Sequence, residues 1–369
     1  MRRLNISIRQ AQDLSYPITI GTGAWERLSQ CPALSSASKV LVVTDSQVGP
    51  LYLDRLRDVL APIVGTVAAC AIVAGETHKD LTGLTQVLEA CSQAQLDRRS
   101  CLVALGGGVV GDVTGFAASI WMRGIPFVQL PTSLLAMADA SIGGKTAVDF
   151  AGRKNQIGTF WQPSAVCIDP SCLVTLKPQE LKSGFAEIIK CLLLDDEDAF
   201  ATLDDLTPLF RSLTSRNCTQ EMYASEQMEA QIARAIAIKA GFVAEDPRDT
   251  GRRACLNFGH TIGHAIEAAS SMTVSHGEAV ATGMSCISRG AAVTGLVSAT
   301  FSRRLDGLLE ALGYDTHPHC SRQKLMEELL GDKKRRGDAI DLVLIRDCGH
   351  PKISRISLKE LERLVQRAL

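Results

Sequence analysis

Residues 253–264 read Arg253-Ala-Cys-Leu-Asn257-Phe-Gly-His260-Thr-Ile-Gly-His264, and Arg253, Asn257, His260 and His264 recur at spacings of four, three and four. On an α-helix this spacing predicts one shared face, bearing a cation, an amide and two imidazoles. Cys255, Phe258 and Ile262 fall opposite and supply the apolar packing. A lone histidine is more often structural, but two on one face with His276 close behind favour a metal site. The pattern is not that of a zinc protease, which needs a glutamate directly after the first histidine. A metal held by imidazoles also wants a carboxylate, and the candidates are Glu187, Glu267 and Glu278. Glu187-Ile-Ile-Lys190 places an acid and a lysine three apart, and its bland reading is an intrahelical ion pair worth about a few tenths of a kcal/mol.

Two glycine motifs precede this segment. Gly106-Gly-Gly-Val-Val-Gly111-Asp112 follows an apolar run ending at Leu105 and fits G-x-G-x-x-G between a strand and a helix. Such glycines let backbone N–H groups approach a pyrophosphate at a helix start. Taken alone, the motif is as well read as a tight turn packing helix on sheet. No acid lies about 20 residues further on to hold a ribose. The acid at a strand end is Asp45, upstream, with Glu76 and Lys79 nearby. Ser141-Ile-Gly-Gly-Lys145-Thr146 imitates a P-loop, but Asp139 stands where Walker A needs its first glycine, which rules out a nucleotide triphosphatase of that type. A lysine after paired glycines still suits a phosphate, and Asp139 suits a sugar hydroxyl.

The elements that must position these groups fall into two classes. Residues 39–45, 64–73, 101–105 and 126–130 read as strands, separated by helical patterns at 51–60 and 79–93. Strands alternating with helices predict an α/β N-terminal nucleotide-binding domain with a mostly parallel sheet. From Pro178, a good first helical residue, helical periodicity takes over, with long helices expected at 226–242 and 254–270. A strand is expected at 340–345 and a closing helix from Ser357. The predicted organisation is an α/β domain over 1–175 and a mainly α-helical C-terminal domain over 176–369.

The chain has 369 residues and a formal net charge of −1, so no basic field for nucleic acid is expected. None of its twelve cysteines forms Cys-x-x-Cys, and they sit singly in apolar runs, as small hydrophobes of a reducing compartment. The longest apolar run, 101–122, carries Asp112 and five glycines and does not read as a membrane span. With no apolar leader pattern at the N-terminus, a cytoplasmic location is expected.

With these motifs in this order, the chain resembles the 3-dehydroquinate synthases, members of the sugar phosphate cyclase superfamily. The likeness runs over nearly the whole length. It is carried by Ala74-Gly-Glu76-Thr-His-Lys79, Gly106–Asp112, Gln129-Leu-Pro-Thr132-Ser133, Asp139-Ala-Ser-Ile-Gly-Gly-Lys145, Lys154-Asn155, Gly184-Phe-Ala-Glu187-Ile-Ile-Lys190, Leu256–His264, His276-Gly-Glu278 and Asp332-Lys-Lys334. The resemblance implies a homodimeric enzyme using NAD and a divalent metal, Zn²⁺ or Co²⁺. The implied reaction turns 3-deoxy-arabino-heptulosonate 7-phosphate into 3-dehydroquinate and phosphate, in the shikimate route. By the same resemblance Glu187, His260 and His276 bind the metal. Asp45, Glu76, Lys79, Gly107, Gly108, Val109, Asp112, Thr132, Ser133, Lys154 and Thr175 line NAD. Lys145, Asn155 and Lys334 (or its neighbour Lys333) hold the substrate phosphate, with Arg123 reaching in from a second subunit. Lys239 and Arg253 hold the carboxylate, while Asp139, Lys190, Asn257 and His264 orient hydroxyls and relay protons. Phe150-Ala-Gly-Arg153, Pro247 and Asp249 depart from the family pattern. The rivals are a cyclase making an inosose or valiolone, a metal-dependent polyol dehydrogenase, and an idle metabolite-binding protein. A cyclase whose substrate lacks a carboxylate has no use for Arg253.

Overall fold

The structure, a computed structural model, describes residues 13–214, 220–271, 273–330, 335–336 and 338–368. Its first part is a six-stranded sheet built from β1 (Ile18–Ile20), β2 (Val40–Asp45), β3 (Val67–Ile72), β4 (Cys101–Gly106), β5 (Phe127–Pro131) and β8 (Ala165–Ile168). A hairpin of β6 (Lys145–Phe150) and β7 (Arg153–Phe160) stands apart from it. The spatial order is β1-β8-β5-β4-β2-β3, and every pair is parallel. The crossovers include α1 (Pro32–Ser35), α2 (Gly49–Leu60), α3 (Leu81–Gln93) and α4 (Gly108–Ile120). The helix expected from 79 begins at Leu81, because Asp80 caps it by accepting from the N–H groups of Thr82 and Gly83.

The strands are buried on both faces, as a parallel sheet between helices must be. Leu41, Val43, Leu102 and Ala104 face α3 and α4. Val40, Val42, Cys101, Val103 and Leu105 point the other way, into a core continuous with the helical part of the chain. That part comprises α5 (Pro178–Asp195), α6 (Ala199–Leu213), α7 (Gln220–Tyr223), α8 (Glu226–Glu245), α9 (His260–Ala269), α10 (His276–Val293), α11 (Ala299–Ala311), α12 (Arg322–Leu330) and α13 (Leu358–Ala368). It also carries a small antiparallel sheet, in which β10 (Ala339–Ile345) pairs with β9 (Arg335–Arg336) and β11 (Pro351–Ser357).

Two features place the site. β2 pairs with β3 on one side and β4 on the other, so the strand order reverses between β2 and β4. Ligands of open α/β sheets bind beyond the C-terminal ends of the strands at such a point. Asp45 ends β2 and the Gly106–Asp112 loop ends β4, so this is where the two meet. The second feature corrects the sequence reading of 254–270. Residues 252–257 form a 3₁₀ turn, and α9 starts only at His260, after Gly259 at φ 78°. Arg253 and Asn257 therefore do not share a helix face with His260 and His264. Gly259 breaks the helix because its backbone lies against α10, where a Cβ would stand 2.7 Å from the Val280 carbonyl oxygen.

Candidate active site

Glu187, His260 and His276 come from three helices whose backbones approach closely. A Cβ on Gly277 would stand 2.1 Å from the Ser183 carbonyl oxygen, so α10 can reach α5 here only with glycine. The Gly277 N–H donates to Ser183 Oγ at 2.9 Å. One turn along α5 from Ser183, Glu187 then faces His276, the first residue of α10. Glu187 Oε1 lies 3.6 Å from His260 Nε2 and 3.4 Å from His276 Nε2. His264 sits one turn beyond His260, with its ring 5.4 Å from that of His260 and 5.9 Å from that of His276.

The three carboxylate candidates have different jobs. Glu278 closes a capping box with Ser275 at the start of α10 and pairs with Lys182 at 3.6 Å. Glu267 lies behind His276, 3.4 Å from its Nδ1. Glu187 alone lies between the imidazoles, and both of its oxygens are fully buried without a well-formed hydrogen bond. A buried carboxylate left in that condition calls for a cation. Its ion pair with Lys190 supplies one charge, and that lysine is itself buried. The ligand atoms of Glu187, His260 and His276 lie within 4.8 Å of one another, a set that suits Zn²⁺ or Co²⁺. His260 Nδ1 faces the Phe258 carbonyl at 3.2 Å, and an N–H donated there leaves the Nε2 lone pair toward Glu187.

The electrostatics agree. Burial holds His260 well below its ordinary pKa, so its ring is neutral. Burial also opposes charge on His276, but Glu187 and Glu267 outweigh it and push the ring up to about 10. Without a metal, the two flanking carboxylates thus favour the charged form of His276. A place that stabilises a proton there also suits a divalent cation in exchange for it.

Around this centre lies a chain of charges. Asp139, in a π-turn over Ala136–Ala140, is 2.7 Å from Lys239 Nζ and 3.8 Å from Lys190 Nζ. Burial alone would raise its carboxyl, but Lys190 and Lys239 hold it below the usual range. The Arg253 guanidinium is buried and donates to the carbonyls of Pro247 and Gly143, each at 2.9 Å. Among the described residues it makes no ion pair, and its Nε–H is buried without a partner. Lys145 on β6 is engaged by Asp249, a pairing that sequence reasoning missed because the two lie far apart in the chain. Asn257 ends the 3₁₀ turn and is half-buried.

On the nucleotide side, Lys79 is buried and bonds Asp112 Oδ2 and Asn155 Oδ1, each at 2.6 Å. Asn155 takes φ 51°, and its N–H donates to Asp149 at 2.7 Å within the hairpin, while the Asp149 N–H donates to the Lys79 carbonyl at 2.7 Å and ties the hairpin to that turn. Lys154 lies 2.9 Å from Glu267 and 3.8 Å from Glu76. Gly107 caps α4 and backs onto Ser133 Oγ, and Gly108 onto Ala140, where a Cβ would come within 3.4 Å and 3.3 Å respectively. Val109 lies in the first turn of α4, and the Thr132 N–H donates to the Gly106 carbonyl. The Asp45 carboxylate is fixed at the strand end by the N–H groups of Gln47 and Val48, both at 2.8 Å. These residues form a cradle fit for a dinucleotide. Thr175 is exposed and bonds Tyr52 of α2 at 2.8 Å. Arg123 is exposed in the turn after α4, at φ 72° and next to Met122 at φ 47°. Lys333 and Lys334 lie outside the described residues.

Comparison with known proteins agrees with this geometry. The family model for the 3-dehydroquinate synthase N-terminal region matches residues 69–183, and that for the C-terminal region matches 184–335. A 3-dehydroquinate synthase of Latilactobacillus sakei is 41% identical over 326 residues, covering 88% of this chain and 87% of the relative. One from Streptococcus pneumoniae is 40% identical over 350 residues, covering 94% and 96%. Among solved structures, 2-epi-5-epi-valiolone synthase from Streptomyces hygroscopicus, with NAD⁺ and Zn²⁺ bound, is 29% identical with a TM-score of 0.84 and covers 98% of this chain and 99% of its own. Since the family models follow one another without a gap from 69 to 335 and relatives align along almost the whole length, the chain belongs to the 3-dehydroquinate synthase family.

Proposed function

We propose that the chain converts 3-deoxy-arabino-heptulosonate 7-phosphate into 3-dehydroquinate and phosphate. A ring hydroxyl is oxidised, phosphate leaves by β-elimination, the ketone is reduced again, and the opened ring recloses by intramolecular aldol addition. When bound, the divalent metal supplies a Lewis acid that makes the reacting hydroxyl more acidic, and NAD supplies a hydride acceptor that is regenerated within the turnover.

The chain's own residues hold the substrate and steer its charge. Glu187, His260 and His276 are proposed to hold the metal, and the Asp45, Glu76, Lys79, Gly107–Asp112, Thr132–Ser133, Lys154 and Thr175 set to hold NAD. Arg253 is assigned to the substrate carboxylate, and this is the observation that carries the reading. A buried guanidinium bonded only to carbonyls has charge left to satisfy, and it offers a planar fork that a carboxylate matches. Lys239 joins it. Lys145, Asn155 and Lys334 are assigned to the phosphate, with Asp249 giving up Lys145 as the dianion enters. Asp139, held ionised between two lysines, accepts from a substrate hydroxyl. Lys190, Asn257 and His264 orient the remaining hydroxyls and pass protons. Holding one flexible molecule with both reacting ends in range is the main contribution to the aldol step.

A homodimer is part of the proposal. The left-handed backbone at Met122 and Arg123 is strained for non-glycine residues, and Ile120 (42%) and Met122 (43%) are exposed beside it. These features suit a turn that delivers Arg123 to a neighbouring subunit. We further assign residues 1–175 and 176–369 as the two domains. A cytoplasmic setting accords with free, buried cysteines. Among the described residues no helix is long and apolar enough to cross a membrane.

The test is phosphate release measured beside NADH absorbance, with catalytic NAD and added Zn²⁺ or Co²⁺. Phosphate without accumulating NADH supports the cyclase. Steady NADH without phosphate would make the protein a polyol dehydrogenase, and turnover of a substrate lacking the carboxylate at equal efficiency would remove Arg253 from its role.

A further inference from the structure

The carboxylate that the metal trio leaves over is Glu267. It lies on α9, two turns beyond His260, and is 3% exposed. Its Oε2 is 3.4 Å from His276 Nδ1, on the far side of the ring from Glu187. Its Oε1 is 2.9 Å from Lys154 Nζ. Lys154 belongs to β7, and its Nζ reaches Glu76 Oε1 at 3.8 Å, in the turn before α3. One line of contacts therefore runs from His276 through Glu267 and Lys154 to Glu76. It joins the metal centre to the proposed dinucleotide cradle.

We infer that Glu267 is a positioning residue for the metal centre and that its ion pair with Lys154 couples metal loading to dinucleotide binding. The inference rests on the metal reading above. An imidazole that ligates through one nitrogen is oriented by what its other nitrogen meets, and a carboxylate there fixes the tautomer and strengthens the donor. With Nδ1–H donated to Glu267, the ring presents the Nε2 lone pair toward Glu187 and His260.

A rival geometry makes Glu267 itself a ligand, since its carboxylate groups with His264 and His276 within the same 4.8 Å. Partner counting decides between them. Both Glu267 oxygens already have partners, one in Lys154 and one in His276. Glu187 Oε2 is paired with Lys190, but its Oε1 is buried without a hydrogen bond and faces the Nε2 atoms of both His260 and His276, at 3.6 and 3.4 Å, so it has an oxygen left for a cation. The coupling follows from the shared link. A metal fixes the His276 end and a dinucleotide fixes the Lys154 end, so each ligand lowers the ordering left for the other. Linkage makes the effect reciprocal.

The experiment uses the full chain stripped by chelator and titrated with Co²⁺, read by its d–d absorption, then with NAD by calorimetry before and after loading. In the wild type, loading should tighten NAD by about fivefold or more. Glu267→Gln should weaken Co²⁺ by about 10- to 100-fold while keeping the wild-type band shape, and should erase the NAD gain. Glu267→Asp should recover part of both. Lys154→Gln should hold Co²⁺ nearly as well as the wild type yet also lose the gain, which keeps the coupling testable if Glu267→Gln fails to fold. Wild-type Co²⁺ affinity in Glu267→Gln, or an undiminished NAD gain in Lys154→Gln, would overturn the inference and leave the metal reading standing. Loss of all Co²⁺ binding in Glu267→Gln with retention in Glu187→Gln would make Glu267 the ligand. A wild-type chain that takes up no Co²⁺ would remove the metal reading and the inference together.

Discussion

Glu187→Gln should destabilise the metal-free protein by about 3 kcal/mol, not by the tenths expected of a surface pair. Glu187 and Lys190 are 0% and 1% exposed, so removing the carboxylate leaves a buried ammonium with only Asp139, at 3.8 Å, to answer it. Breaking such a pair from one side costs about 3–5 kcal/mol, and the remaining Asp139 places the value at the lower end. With an unfolding entropy of about 2.1 cal/mol/K per residue, the chain's 369 residues turn about 3 kcal/mol into about a 4 °C fall in midpoint. The assay is thermal unfolding in chelator and again with Co²⁺. At about 100 times its dissociation constant a metal adds about 2.7 kcal/mol to the wild type. The variant, short of a ligand, should gain little. A variant that melts with the wild type in chelator would refute the burial argument. One that gains as much from Co²⁺ would refute the ligand assignment.

Three further outcomes are expected. Ala151 takes φ 50° beside Gly152 at φ 74° in the two-residue turn of the β6–β7 hairpin, so Ala151→Gly should relieve about 1 kcal/mol of strain and raise the melting midpoint; a lower midpoint would count against it. Arg253→Lys should raise the dissociation constant of a carboxylate-bearing substrate analogue at least about tenfold, through loss of the planar fork, and leave a carboxylate-free analogue unchanged; equal losses for both would contradict the assignment. Tyr314 is buried with its hydroxyl donated to the Lys182 carbonyl at 2.7 Å, and burial raises its pKa well above 10.0. A folded-state pKa raised in this way gives stability that is complete below the unfolded value of about 10 and is lost as pH climbs above it. Urea midpoints should therefore fall above about pH 10, and fall less steeply in Tyr314→Phe; parallel slopes would exclude Tyr314 as the cause.

Much of the site could be read in the sequence where local spacing and local geometry coincide. The Gly106–Asp112 loop follows an apolar strand and opens a helix as its pattern predicts, and Pro178 starts α5. Spacing failed where tertiary contact overrode it. Arg253 to His264 scans as one helix, yet the close approach of α10 at Gly259 splits it, and Arg253 reaches Gly143 instead. The choice among Glu187, Glu267 and Glu278 had no local signal, because it depends on how near α5 can come to α10 at Gly277. The partnership of Lys145 with Asp249 and the link from Glu267 to Lys154 span more than a hundred residues and needed the fold. β8 was not foreseen, although it joins the main sheet beside β1 and β5. It is four residues long, too short for alternation to stand out.

The central claim is that one bound molecule is oxidised and reduced again before it leaves. The direct test places deuterium on the substrate carbon that loses hydride, supplies catalytic unlabelled NAD and Co²⁺, and analyses the dehydroquinate by mass spectrometry and NMR. The account predicts full retention of the label at that same carbon, with one phosphate released per product. Label washed out to solvent, or collected in a growing pool of deuterated NADH, would contradict it.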